Sequence, residues 1–315
     1  MAVIEGVIEI LLDVEASALG SSLTSRIAGQ DVQVRLPRRP GVGSSSNELH
    51  QPAFEHVSAG VSLDPWVRDS PAWGKWYLRD GEGGAAAIRR VGLVVSVPDE
   101  SLKEERQAMA AALYEAVDDW RSLVGDWLEV VFGQTLRLPS SRERPGQAIA
   151  PWLWSHDGGS RVLLHNQGPL TALGSRGDKA VDAQTLQQVC TAAGKEHTPP
   201  LAWLLTRNAR HQHSRGEHRG AVLDAGTAAE LALSKVLLER QVNLGDVQTL
   251  GSLVGLAQNP KHGVPCPTDA KDALVCVRND AAHRGRRPTS TEVTRALQIS
   301  EGFVHFADPR SALLH

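Results

Sequence analysis

The chain has 315 residues, 41% of them hydrophobic and 22% charged, a balance that suits folded domains and excludes a disordered chain. With 33 basic and 36 acidic residues the net charge is -3, so the whole-chain balance demands neither a nucleic acid nor a membrane partner. Charge is not evenly spread. From Pro200 onward there are 14 Lys+Arg against 11 Asp+Glu, net +3, and before it 19 against 25, net -6, with seven of the eight tryptophans also on the N-terminal side. This step predicts two domains, 1–198 and 199–315.

The N-terminus, MAVIEGVIEILLDVEASALG, lacks a leading cationic region, and Glu5, Glu9 and Asp13 interrupt its apolar run. Neither a secretory signal nor a bilayer-spanning segment is expected. Cys190, Cys266 and Cys276 have no metal-ligand spacing and form no even set, which predicts free thiols in a cytoplasmic protein.

The first hundred residues predict strands from Val3 to Val14, Val32 to Leu36 and Ile88 to Val97, the last rich in β-branched residues. The Pro-, Gly- and Ser-rich LPRRPGVGSSSNELHQP reads as a loop. A Ser101/Glu104 capping box opens a long helix reaching about Phe132, with Met109, Leu113, Val117, Trp120, Val124, Trp127 and Val131 on one face. Short strands follow at Thr135 to Leu138, Trp152 to Trp154 and Arg161 to His165, and a helix from Val181 to Ala193. The first region is therefore an α+β domain. The Trp-rich PWVRDSPAWGKWYL suits base stacking in principle, but its surroundings are not basic, and large aromatics in such a domain favour core roles.

After Pro200 the pattern is helical throughout. Five helices are expected: LAWLLTRNARHQH, Glu217 to Arg240, Leu250 to Ala257, Thr268 to Ala282 and Thr289 to Phe306. Small residues along the second allow close helix approach. An all-α five-helix bundle follows.

Within the fourth helix, Arg278-Asn279-Asp280-Ala281-Ala282-His283 sets a permanent cation and a titratable imidazole five positions apart. Imidazole can take a proton from a ribose 2′-hydroxyl or return one to the leaving oxygen, and guanidinium suits the doubly charged phosphorane. A five-residue step turns a helix by about 140°, so the two share no helix face unless the helix ends at His283, as Gly285 suggests. Arg207 to His213 and Arg310 to His315 have similar spacing, about as many matches as chance allows. The middle pair is set apart by its adjoining amide and the basic run Arg284, Arg286, Arg287. Asp272 and Asp280 are the alternative, purely structural partners for Arg278, and a helix-terminal charge is the structural role for His283. His211, His213 and His218 lack a spaced Cys or carboxylate, and no metal is expected there. Glu230 stands alone on an apolar helix. Phosphate-loop, His-Glu-x-x-His and Gly-x-Ser-x-Gly signatures are missing from the sequence, which argues against the common ATPase, zinc protease and serine hydrolase classes.

GEHRGAVLDAGTAAELALSKVLLE followed some forty residues later by RNDAAHRG resembles the HEPN superfamily, over roughly Pro200 to Phe306; the first 199 residues resemble no family. The resemblance implies a metal-independent endoribonuclease that needs no cofactor and serves as a toxin or in abortive infection and antiphage defence. It assigns catalysis to Arg278, Asn279 and His283, brought together across a homodimer, and leaves 2′,3′-cyclic phosphate ends on the RNA. Arg284, Arg286 and Arg287 are the expected RNA contacts, and 1–198 is expected to sense a trigger, meet an antitoxin or select the RNA. The alternative is a non-catalytic nucleotide- or RNA-binding sensor with a dimerising bundle.

Overall fold

A computed structural model describes residues 2–41, 47–52, 73–79, 83–98, 101–133, 152–157, 160–165, 180–245 and 249–314. The chain divides into two compact units, Met1–Thr198 and Pro199–His315.

The first unit is α+β. Its strands are β1 (Ala2–Glu15), β2 (Ser22–Ile27), β3 (Gln30–Arg35), β4 (Gly74–Arg79), β5 (Gly83–Val97), β6 (Trp152–Asp157) and β7 (Ser160–His165). They form one antiparallel sheet in the order β2-β3-β5-β1-β6-β7, with β4 also paired to β5. The two longest strands make the centre: β1 and β5 pair from Ala2↔Val97 to Glu15↔Ala85, with an irregularity between Glu9 and Leu12. Their Val, Ile and Leu side chains are buried along most of both strands, the continuous apolar run of a strand covered on both faces.

Strand β2 has no counterpart in the sequence expectations. It returns into β3 through Ala28 and Gly29, both at positive φ, 51° and 74°. Two successive left-handed residues are what a tight hairpin needs, and Asn-Gly is their usual sequence sign. Here an alanine takes the first position, so the turn is hidden in the sequence.

Helix α1 (Lys103–Phe132) buries Leu113, Val117, Trp120, Val124 and Trp127. Its N-cap is Leu102 rather than Ser101, so the expected Ser101/Glu104 box does not form. Glu105 instead accepts from the Leu102 backbone N–H at 2.8 Å, and a leucine offers no side-chain acceptor in return. Helix α2 (Ala183–Gly194) starts at Asp182, which accepts from Thr185 N. The expected strand at 135–138 and Trp66 lie outside the described residues; Trp73 and Trp76 are half-buried.

The second unit is helical: α3 (Leu201–Ser214), α4 (His218–Glu239), α5 (Leu250–Ala257), α6 (Val277–His283) and α7 (Ser290–Ala307). Helix α4 buries Ala221, Val222, Ala225, Gly226, Ala228, Ala229 and Ala232, small side chains that admit α3 and α7 at short range. Ser300 Oγ of α7 donates to the Ala225 carbonyl of α4 at 2.6 Å, fully buried. Thr289 caps α7, with Glu292 closing the box.

The fourth expected helix is not one regular α-helix. Lys271–Cys276 forms a π-helical turn that leads into α6. Leu274, Val275 and Val277 are all buried along with Ala270 and Ala281, and the wider turn lets adjacent residues face the core together. Among the described residues no helix is long and apolar enough to cross a membrane.

Candidate functional site

Helix α6 ends where the motif ends. His283 is its last residue, Arg284 caps it, and Gly285 adopts φ 66°, the left-handed conformation that glycine takes without a Cβ penalty. Helix α4 holds α6 at two points. Arg219 Nε donates to the Ala281 carbonyl at 2.9 Å, and Gly226 lies against the stem of Arg278. A β-carbon on Gly226 would stand 2.8 Å from Arg278 Cγ, inside van der Waals distance, and 3.6 Å from its Cβ. Only glycine leaves that space.

The side chain of Arg278 is half-buried. Its Nε is buried without a hydrogen-bond partner, and Nη1 donates to Asn279 Oδ1 at 3.2 Å. Among the described residues no carboxylate pairs with it. Asp280, one of the two partners considered from sequence, is occupied elsewhere: its oxygens take Arg284 Nη1 at 3.0 Å and Arg286 Nε at 3.1 Å. Arg286 Nη1 also reaches Glu292 at 2.9 Å, and Arg287 Nη2 donates to the Gly216 carbonyl at 3.2 Å. Arg284 and Arg286 thus have carboxylate partners, which Arg278 lacks among the described residues. Both features carry a cost. A buried unpaired donor loses about 1–3 kcal/mol, and a glycine inside a helix about 1 kcal/mol relative to alanine.

His283 is exposed at the helix end. Among the described residues no hydrogen bond joins it to Arg278. Asn279 is exposed beside Arg278, which it accepts from.

The histidine cluster ties helices together. His218 Nδ1 donates to the Pro288 carbonyl at 3.0 Å, His213 Nε2 meets Thr294 Oγ1 at 3.2 Å, and the two rings lie 5.4 Å apart. Among the described residues no three His, Cys, Asp or Glu side chains are grouped to hold a metal ion. Glu230 is half-buried on α4. A cavity of about 850 Å³, lined by Pro265, Cys266, Ile299, Phe303 and Phe306 among others, includes none of the motif residues.

Gly226 and Arg219 escape the sequence reading. The one available sign of the first is a glycine inside the Ala-rich run DAGTAAE, where a helix former would otherwise be favoured. No family model, curated protein or solved structure matches the chain.

Proposed function

We propose that the second unit is a metal-independent endoribonuclease of the HEPN type. The observation that carries this reading is Arg278: a seated, half-buried guanidinium with no carboxylate partner, whose remaining N–H donors are free for an anion. A phosphodiester supplies the missing negative charge, and the guanidinium fork matches its oxygens.

In the proposed reaction a His283 imidazole accepts the proton of a ribose 2′-hydroxyl, whose oxygen attacks phosphorus. The bond from phosphorus to the 5′-oxygen breaks, and an imidazolium returns a proton to that oxygen. Arg278 stabilises the charge that builds on the phosphorane. The products are a 2′,3′-cyclic phosphate and a 5′-hydroxyl. Two roles for imidazole, and the lack of a hydrogen bond between His283 and Arg278 among the described residues, argue for a homodimer in which two copies of the motif meet across a two-fold axis. Arg284, Arg286 and Arg287 contribute phosphate contacts beside the motif, and the acidic first unit responds to a trigger or antitoxin, or selects the RNA. The protein then acts in the cytoplasm as a toxin or antiphage effector.

The test is incubation of full-length protein with RNA in EDTA. Cleavage leaving 2′,3′-cyclic phosphate ends, abolished in His283→Ala, supports the reading, and activity surviving that substitution refutes the assigned site. The unbonded His283 and Arg278 also leave room for a second reading, a nucleotide- or RNA-binding sensor. RNA binding lost in Arg278→Ala, with no cleavage by the wild-type chain, selects it.

A further inference from the structure

Every arginine carries five N–H donors, and how many of them reach a ligand depends on what grips the stem. At Arg278 the stem lies in a notch that exists because residue 226 of α4 has no side chain; a β-carbon there meets Cγ at 2.8 Å. The notch takes Nε out of solvent without giving it a partner, and Asn279 occupies one Nη1 proton. Three donors remain, all on Nη1 and Nη2. Arg207, which also precedes an asparagine, differs: it turns both Nε and Nη2 onto Asn208 Oδ1, at 3.3 and 3.2 Å, and so spends on its neighbour the Nε that Arg278 buries.

We infer that Gly226 is a positioning residue: it seats Arg278 so that the guanidinium presents only its Nη end, in one fixed orientation, to a single phosphodiester anion. This rests on the ribonuclease reading for its substrate class, but the seat itself is a property of the folded chain. Helix α4 forgoes a better helix former at this position, and the buried Nε goes unpaired, so local stability favours neither feature. A guanidinium fixed in place loses little further freedom when an anion binds, which is the advantage of a preorganised donor.

The experiment uses full-length protein and reads the seat separately from the chemistry. The Arg278 Nε–H resonance, assigned by its loss in Arg278→Ala, is followed for solvent exchange. Binding of an RNA oligonucleotide made uncleavable by 2′-deoxy substitution, and cleavage of its unmodified counterpart, are measured alongside. Slow exchange is expected in the wild type and fast exchange, matching that of exposed arginines, in Gly226→Ala. Oligonucleotide affinity should fall at least about tenfold, as expected for a displaced charge-assisted donor, in a variant that still folds. Gly302→Ala is the control, since a β-carbon on that α7 glycine meets nothing within 4 Å; it should change neither the exchange nor the affinity.

Unchanged Nε–H exchange and affinity in Gly226→Ala overturn the inference, as does a wild-type chain that fails to bind the oligonucleotide. If Gly226→Ala does not fold, Gly226→Ala/Arg278→Ala must fold like Arg278→Ala, because the clash is gone; failure to do so also overturns it. Exchange and binding that respond as expected in a protein that cleaves nothing leave the seat standing and remove the ribonuclease reading.

Discussion

The indole Nε1 of Trp120 in α1 donates to Ser25 Oγ in β2 at 2.8 Å, and both groups are buried. The same hydroxyl donates onward to the Cys190 carbonyl of α2 at 2.6 Å. One serine therefore joins α1 and α2 to the sheet. Gly194 at the end of α2 keeps the approach open, since a β-carbon there would lie 2.6 Å from Arg26 N and 2.8 Å from Ser25 Oγ. Replacing Ser25 by alanine strands a buried N–H, and the expected destabilisation is about 1–3 kcal/mol, read by denaturant unfolding of the full chain. A variant as stable as wild type contradicts this role.

Acid should loosen the second unit at α7. Hydrogen bonds from Arg295, at 2.7 Å, hold the Asp269 carboxyl below its ordinary 3.8. The Thr289 backbone N–H, followed by Arg286, does the same for Glu292, below 4.5. A depressed folded pKa contributes stability that is present above the unfolded value and is lost as pH falls through the folded one. The thermal midpoint should thus decline as pH drops below about 4, and Asp269→Asn and Glu292→Gln should each make that decline shallower. Acid profiles identical to wild type in both variants contradict the assignment.

Among the motif's basic neighbours, Arg287 is the one bound to a carbonyl and not to a carboxylate, so its charge is the most available to RNA. Arg287→Ala should lower the slope of log affinity against log salt by about 0.7, one single-strand phosphate contact. Asp280→Asn, which releases Arg284 and leaves Arg286 paired with Glu292 alone, should raise affinity. Fluorescence anisotropy across a KCl series reads both, and an unaltered slope in Arg287→Ala counts against the phosphate contact.

Long periodic elements were legible in the sequence because their burial pattern is local. The Leu113, Val117, Trp120, Val124 and Trp127 stripe describes α1 almost as it stands, and Thr289 marks the start of α7 through its side-chain cap. What escaped depends on geometry between distant residues. The Ala28-Gly29 turn uses a residue that rarely advertises positive φ. The π turn before α6 follows from which adjacent side chains the core accepts. At the site, the Arg-Asn-x3-His pattern was readable, but the notch beneath it was not, because Gly226 and Arg278 are 52 positions apart and meet only when α4 and α6 come together.

The most direct measurement is the single-turnover cleavage rate of RNA at pH 7 in EDTA, compared among wild type, Arg278→Ala and His283→Ala, each checked for native folding. A general base or acid contributes about 10²–10⁴-fold, and removing a charge-stabilising donor about 10²–10³-fold. The expected result is cleavage by the wild type to 2′,3′-cyclic phosphate ends, with both variants slower by at least about 100-fold. Cleavage that persists at the wild-type rate in either variant, or that needs a divalent metal, contradicts the proposed site.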